Sequence, residues 1–332
     1  MTTRHPQPKR VRFEERAYAL GDFVGVNGYR VNLAAFQRLM VEGGYAVEET
    51  GHFLVGRREG GPVVLVHWFA PEEIDSDLGR FFMQELRPRG IVTKPEDFGI
   101  AFAAVISSLF PREPERGWHL YSTNTLRRLH RLSTTASRSR PIDCVSPMQV
   151  FSTLYRRVRE LLVGETVLDA GCSSGFLPLV IAEQRPELSR VLGIDIRPEP
   201  FPMARRIAGE HRLTNVQFAQ ADLLSADVVT PGRFDTVTIL HVLEHFTEAD
   251  MYRVLDNLLR ITTRRLIIAV PYETGKPEAV YGHEQLFTPA ALEAVGRWCL
   301  ARWGAGEMRC EECAGGLLYI DRAADSHDSP SF

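Results

Sequence analysis

Residues 165–176 read ETVLDAGCSSGF, and the reading of this stretch decides the fold. A short apolar strand, Val167 and Leu168, stops at the carboxylate of Asp169. Gly171, Cys172, Ser173, Ser174 and Gly175 then turn the chain into an apolar helix from Phe176 to Glu183. Such a turn is a ligand cradle: Gly171 admits backbone where a Cβ would clash, and the first N–H groups of the next helix face the same spot. A dinucleotide fingerprint would read G-x-G-x-x-G, and a phosphate loop would end in Gly-Lys-Ser or Gly-Lys-Thr. This stretch has neither, but G-x-x-x-G after an acid. The expectation is a nucleotide-like ligand.

Working outward, strands and helices alternate from Met148 onward, as in a doubly wound sheet. A helix over Val150 to Leu162 precedes the first strand. The second strand, Arg190 to Ile194, ends at Asp195, where two carboxylate oxygens can accept from both ribose hydroxyls. The third, Val216 to Ala219, leads to Asp222, and the fourth, Phe234 to Leu240, runs into HVLEHF at 241–246. A helix over Glu248 to Leu259 precedes the fifth strand, Arg265 to Val270. The last helix starts at Thr288 and runs to Ala301, and two strand patterns follow, Glu307 to Cys310 and Leu317 to Ile320. Three carboxylates, each ending a successive strand, fit one adenosine lying across the strand ends.

VLDAGCSSG resembles motif I of the class I S-adenosylmethionine (SAM)-dependent methyltransferases, written VLDxGxGxG, and departs from it at Ser173. The terminal β-hairpin after strand five is similar to that family too. The resemblance covers about residues 150–321. It implies an α/β fold, a Rossmann-like class I methyltransferase sheet with a C-terminal β-hairpin, at 148–321. It also implies SAM as methyl donor, held by Asp169, Gly171, Cys172, Gly175, Asp195, Ile196, Asp222, Leu223 and His241, with Asp222 accepting from the adenine amino group.

His241 and His245 stand at i and i+4, so a helical turn would put them on one face, where a neutral imidazole can take a proton from an acceptor. The loop after strand five, Pro271 to Phe287, adds His283 as a third candidate base. The VPYE, YGHEQLFT and AGGLLYID stretches of the C-terminal part resemble actinobacterial methyltransferases of the glycosylated redox cofactor mycofactocin. That resemblance implies methylation of a sugar hydroxyl on an oligosaccharide. Other acceptors remain open: an amine or carbon centre of a natural product, RNA through the Arg127-to-Arg159 cluster, or no catalysis in a SAM-binding module. No metal is demanded, although Asp222, Glu244 and Glu273 are available as ligands. Cys310 and Cys313 look like half a zinc site without a full ligand set, so ordinary thiols are expected.

Composition bounds the rest. The chain has 332 residues, enough for two domains, and a formal net charge of −3 that gives no global pull toward nucleic acid or membrane. Only three of its 39 basic residues are lysine, a skew that reflects a GC-rich genome. Five scattered cysteines do not suggest a disulfide framework, and no leader or membrane span is evident, so a cytoplasmic protein is expected. The expected organisation is a tail at 1–15, an α+β domain at 16–125 for substrate, lid or dimer contacts, an Arg/Ser-rich junction at 126–147, and a tail at 322–332. In the first half Val24 to Val31 reads as a hairpin around Asn27-Gly28, with helices over Leu33 to Val41, Asp75 to Leu86, Asp97 to Leu109 and Thr123 to Leu132.

Overall fold

The computed structural model describes residues 17–134, 146–226, 232–273, 275–277 and 279–323. The chain divides into two compact units between Arg127 and Arg128.

In the first unit a five-stranded sheet runs in the order β1 (Ala17–Leu20), β2 (Phe23–Asn27), β5 (Val63–His67), β4 (Phe53–Arg57), β3 (Ala46–Glu49). β2 and β5 pair in parallel, and the other pairs are antiparallel. The connection from β2 to β3 contains α1 (Leu33–Glu42), as its apolar spacing predicts. Asn27-Gly28 does not turn a hairpin. The favoured two-residue hairpin turns need positive φ at the first central residue, and type I′ at both, whereas Asn27 sits at φ −79° and its side chain accepts from Tyr29 N–H at 3.0 Å, capping a 3-10 turn over Gly28–Arg30.

Three helical segments follow. α2 (Leu78–Phe81) is shorter than the expected span and passes into a π-helical turn at Phe82–Leu86. α3 is Pro95–Ser108 and α4 is Pro114–Thr134, the latter starting nine residues before the expected Thr123. α4 also takes up Leu126 to Thr134, so that part of the expected junction is helix; Leu126 and Leu129 are buried along it. The rest of that junction up to residue 145, and both expected tails apart from residues 322–323, lie outside the described residues.

The second unit opens with α5 (Pro147–Leu161). Its start is a capping box: Ser146 Oγ accepts from Gln149 N–H at 3.3 Å, and Gln149 Oε1 accepts from Ser146 N–H at 2.9 Å. Then come β6 (Thr166–Ala170), α6 (Phe176–Gln184), β7 (Arg190–Asp195), α7 (Phe201–Glu210), β8 (Val216–Gln220), β9 (Phe234–Leu240), α8 (Glu248–Ile261), β10 (Thr262–Val270) and α9 (Pro289–Trp303). The hairpin β11 (Gly306–Glu312) and β12 (Gly316–Arg322) ends the fold.

Seven strands form one sheet in the order β11-β12-β10-β9-β6-β7-β8. β6 to β10 are parallel, and β12 pairs antiparallel with β10 and β11. Strands covered on both faces read as apolar runs, which is why VLGID and LIIAV carry no alternation. From β6 the chain steps outward through β7 and β8, then returns to β9 on the other side. That reversal opens a crevice at the carboxyl ends of β6 and β9, where open α/β sheets bind ligands. This is the Rossmann-like sheet with terminal hairpin that the sequence leads one to expect. Among the described residues no helix is long and apolar enough to cross a membrane.

Candidate active site

The turn after β6 is pinned to its neighbours by backbone. Gly171 and Cys172 both donate to the carbonyl of Ile194, at 2.8 and 2.9 Å. Gly171 has φ +79° and Gly175 has φ +76°; a Cβ at the first would overlap Val242 and at the second would strike Phe218. Ser173, where the motif I pattern has its middle glycine, also takes a positive φ of 49°. Its N–H donates to Asp195 Oδ2 at 2.8 Å, which supports this strained backbone from outside.

Asp195 is 9% exposed and accepts from Arg197 N–H through its other oxygen at 2.9 Å. Each carboxylate oxygen carries a second lone pair, so two acceptor sites remain for hydroxyl donors. Next to it Ile196 is 59% exposed, a large apolar side chain presented beside the crevice. Gln220 Nε2 donates to the Ile196 carbonyl at 3.0 Å and fixes that segment.

Asp169 lies at the floor, 3% exposed, with its Oδ1 accepting from Thr238 Oγ1 at 2.7 Å. Burial pushes its carboxyl up to about 7, and the charge of Asp195 pushes the same way, while the Thr238 hydroxyl opposes them. Burial first, then the charges of Asp169 and Asp195, raises the Cys172 thiol above its ordinary range, so it is a packed, unreactive group. Two carboxylates that repel each other in a dry crevice fit a ligand that brings positive charge. A sulfonium carrying an α-ammonium group is such a ligand.

The other expected cofactor residues divide. Asp222 is exposed just beyond β8, and its Oδ1 accepts from Leu224 N–H at 2.9 Å, shaping the turn there. Leu223 keeps its side chain out of the crevice: it is 6% exposed and belongs to the apolar core with Leu192, Ile239 and Leu255, so a ligand there would meet its backbone alone. Leu224 packs, half-buried, against the same cluster, and Asp222 is the exposed residue of the turn.

HVLEHF also differs from the expected helical turn. His241 has φ +54° and donates its N–H to the Ala269 carbonyl at 2.9 Å, extending the β9–β10 ladder. After it only Leu243–His245 coils, as a 3-10 turn in which His245 N–H reaches Val242 O at 3.1 Å. His241 and His245 therefore do not share a helical face. His241 meets the edge of Phe151, with ring centroids 5.5 Å apart, and its Nδ1 stands 3.5 Å from Glu244 Oε1. Its Nε2 is buried without a hydrogen-bond partner.

His245 and His283 come together instead, with ring centroids 5.0 Å apart. His245 Nδ1 contacts the Gly282 carbonyl at 3.1 Å, and His283 Nδ1 contacts Glu273 Oε1 at 2.9 Å. The loop that carries His283 is latched onto the 3-10 turn: Glu284 N–H donates to Glu244 O at 2.8 Å, and Gln285 Nε2 donates to Leu243 O and Phe246 O, both at 3.0 Å. The sequence exposes Glu244 and Glu273 as single acids; that they stand around two imidazoles follows from this latch, which no local pattern reveals. Thr238, which holds Asp169, was likewise hidden as one more residue of a buried strand. The four described cysteines are free thiols, and Cys144 lies outside the described residues.

Residues 167–264 match a family model described as methyltransferase domain. The β6-to-β10 region of the second unit is therefore similar to a methyltransferase domain. Two ubiquinone biosynthesis O-methyltransferases are similar to this chain. The protein from Pseudomonas paraeruginosa is 31% identical over 135 residues, covering 40% of this chain and 54% of the relative. That from Aeromonas salmonicida is 29% identical over 151 residues, covering 41% and 62%. The chain thus spans a little over half the length of the curated relatives it matches. Among solved structures, an O-methyltransferase family protein from Burkholderia thailandensis aligns over 90% of this chain and 87% of its own, at 13% identity and a TM-score of 0.49. The family-model match covers the β6-to-β10 region, where the turn and all three strand-end acids lie.

Proposed function

We propose that this chain is a SAM-dependent O-methyltransferase whose acceptor is a hydroxyl of a small polar metabolite, with a sugar hydroxyl of a mycofactocin-type oligosaccharide as the finer reading. The observation that carries the first part is the Asp169–Asp195 pair around a glycine turn at the switch point of the sheet. The matched ubiquinone relatives are O-methyltransferases by name, which supports oxygen as the methylated atom. The finer reading rests on the resemblance carried by the VPYE, YGHEQLFT and AGGLLYID stretches.

Bound SAM supplies an electrophilic methyl group on a positively charged sulfur. Everything else falls to this chain. In this reading Asp169 and Asp195 hold the cationic and ribose portions, Ile196 offers an apolar surface to the base, and Asp222 is the acceptor for the adenine amino group. At the carboxyl edge of β9 and β10, His241, His245 and His283 are the groups that can activate an acceptor hydroxyl, which must lose its proton as it is methylated. Holding that oxygen in line with the sulfur–carbon bond provides much of the acceleration.

The test is turnover. Purified protein with SAM and a panel of glycosylated, catechol and amine acceptors should produce S-adenosylhomocysteine (SAH) and a methylated product with hydroxyl acceptors, read by mass spectrometry. Turnover of amine acceptors with none for any hydroxyl would overturn the oxygen assignment.

A further inference from the structure

We infer that Glu244, His245 and His283 bind a divalent first-row transition-metal ion, of the zinc or manganese kind, that presents the acceptor hydroxyl to the methyl donor. The three residues each offer one ligand atom, and these atoms lie within 4.8 Å of one another. Ligands on a shared ion at about 2.0–2.2 Å each stand roughly 3–4 Å apart, so closure takes only rotamer-scale movement.

A second, independent observation points to a cation. Glu244 is 1% exposed, yet its Oε2 is buried with no hydrogen-bond partner, and its other oxygen has His241 Nδ1 at 3.5 Å. Leaving a carboxylate oxygen dry and unpaired is costly, and a metal ion is one of the few things that removes the cost.

The surroundings of the imidazoles give the same answer. A carbonyl oxygen only accepts, so Nδ1 of His245 bears the proton it donates to Gly282 O, and its Nε2 keeps a lone pair. His283 donates Nδ1–H to Glu273 in the same way, which forms a carboxylate–histidine arrangement of the kind that orients metal ligands. The backbone bond from Glu284 to Glu244 O sets the spacing between the two loops. Two imidazoles with one carboxylate suit zinc, manganese or iron, whereas magnesium and calcium favour all-oxygen sets. Asp222 and His241 stand outside the ligand group.

Three protein ligands leave open positions for the acceptor. An ion held there would stabilise the alkoxide of a bound hydroxyl, as it does the hydroxide of bound water, so that the proton passes to solvent more readily than from the free hydroxyl. This role rests on the methyl-transfer reading; binding of the ion does not.

Chelator-stripped full-length protein is titrated with manganese chloride, free ion being counted by electron paramagnetic resonance, and with zinc chloride by calorimetry. One saturable site per chain is expected. Glu244→Gln and His283→Gln should weaken it at least tenfold, and Glu273→Gln, which leaves all three ligands in place, by about ten- to a hundredfold. His211→Gln, remote from the loop, should leave it unchanged. Circular dichroism and metal-free SAH titration monitor the fold and the donor site separately in every variant. Absence of a saturable site, or equal affinity in wild type, Glu244→Gln and Glu273→Gln, overturns the assignment even when SAH binding is intact.

Discussion

At the scale of single residues, Asp169 carries the most distinctive chemistry. Its carboxyl, raised to about 7 by burial, binds its proton more tightly in the folded chain than in an unfolded one, where about 3.9 is normal. Stability from this group is therefore full below about pH 4 and lost as pH rises through about 7. Asp169→Asn should make the ligand-free protein more stable than wild type at pH 8, with the difference in melting temperature vanishing near pH 4. Binding of a cation reverses the preference. SAM affinity should rise about tenfold from pH 6 to pH 8 in wild type relative to Asp169→Asn, as measured by calorimetry. A flat ratio would mean that no positive charge comes to rest beside this carboxylate. The residue was legible in sequence as a strand-ending acid, but its shift was not, because it depends on Thr238 and on the depth of the crevice.

Elements turn these residues into a site, and here local sequence and structure part company in instructive places. Apolar runs bounded by turn residues located β6 to β10 and α8, since covering the sheet on both faces writes itself into composition. Asn27-Gly28 carried the same local signal as a hairpin, but β2 draws its partners from β1 and β5, and the Asn side chain was better used as a cap. His241 and His245 have helical spacing; the ladder bond of His241 to Ala269 holds the backbone left-handed and breaks that register. Two predictions belong at this level. Gly171→Ala adds a Cβ against Val242 at positive φ and should cost about 1–3 kcal/mol in urea unfolding, with part recovered by adding Val242→Ala. Gln285→Ala removes the side-chain latch and should speed amide exchange at 243–246 and 282–286 while leaving β6 and β7 protected. Unchanged exchange in both segments would show that the loop holds His283 without it.

For the molecule as a whole, the two apolar clusters described in the second unit, around Leu168 and around Leu154, draw their residues from after 150. A fragment from residue 146 onward should therefore fold and keep SAH affinity within about threefold of the full chain, as each core buries its own surface. A fragment that is insoluble or blind to SAH would show that the first unit completes the cofactor site. The measurement that bears most directly on the central claim is calorimetric titration of SAH into wild type and Asp195→Ala. Micromolar, one-to-one binding by wild type is expected, weakened about ten- to a hundredfold in the variant through loss of charge-assisted hydrogen bonds. Folded wild-type protein that takes up no SAH, or an Asp195→Ala variant that binds it as tightly, would contradict the assignment of this crevice to SAM.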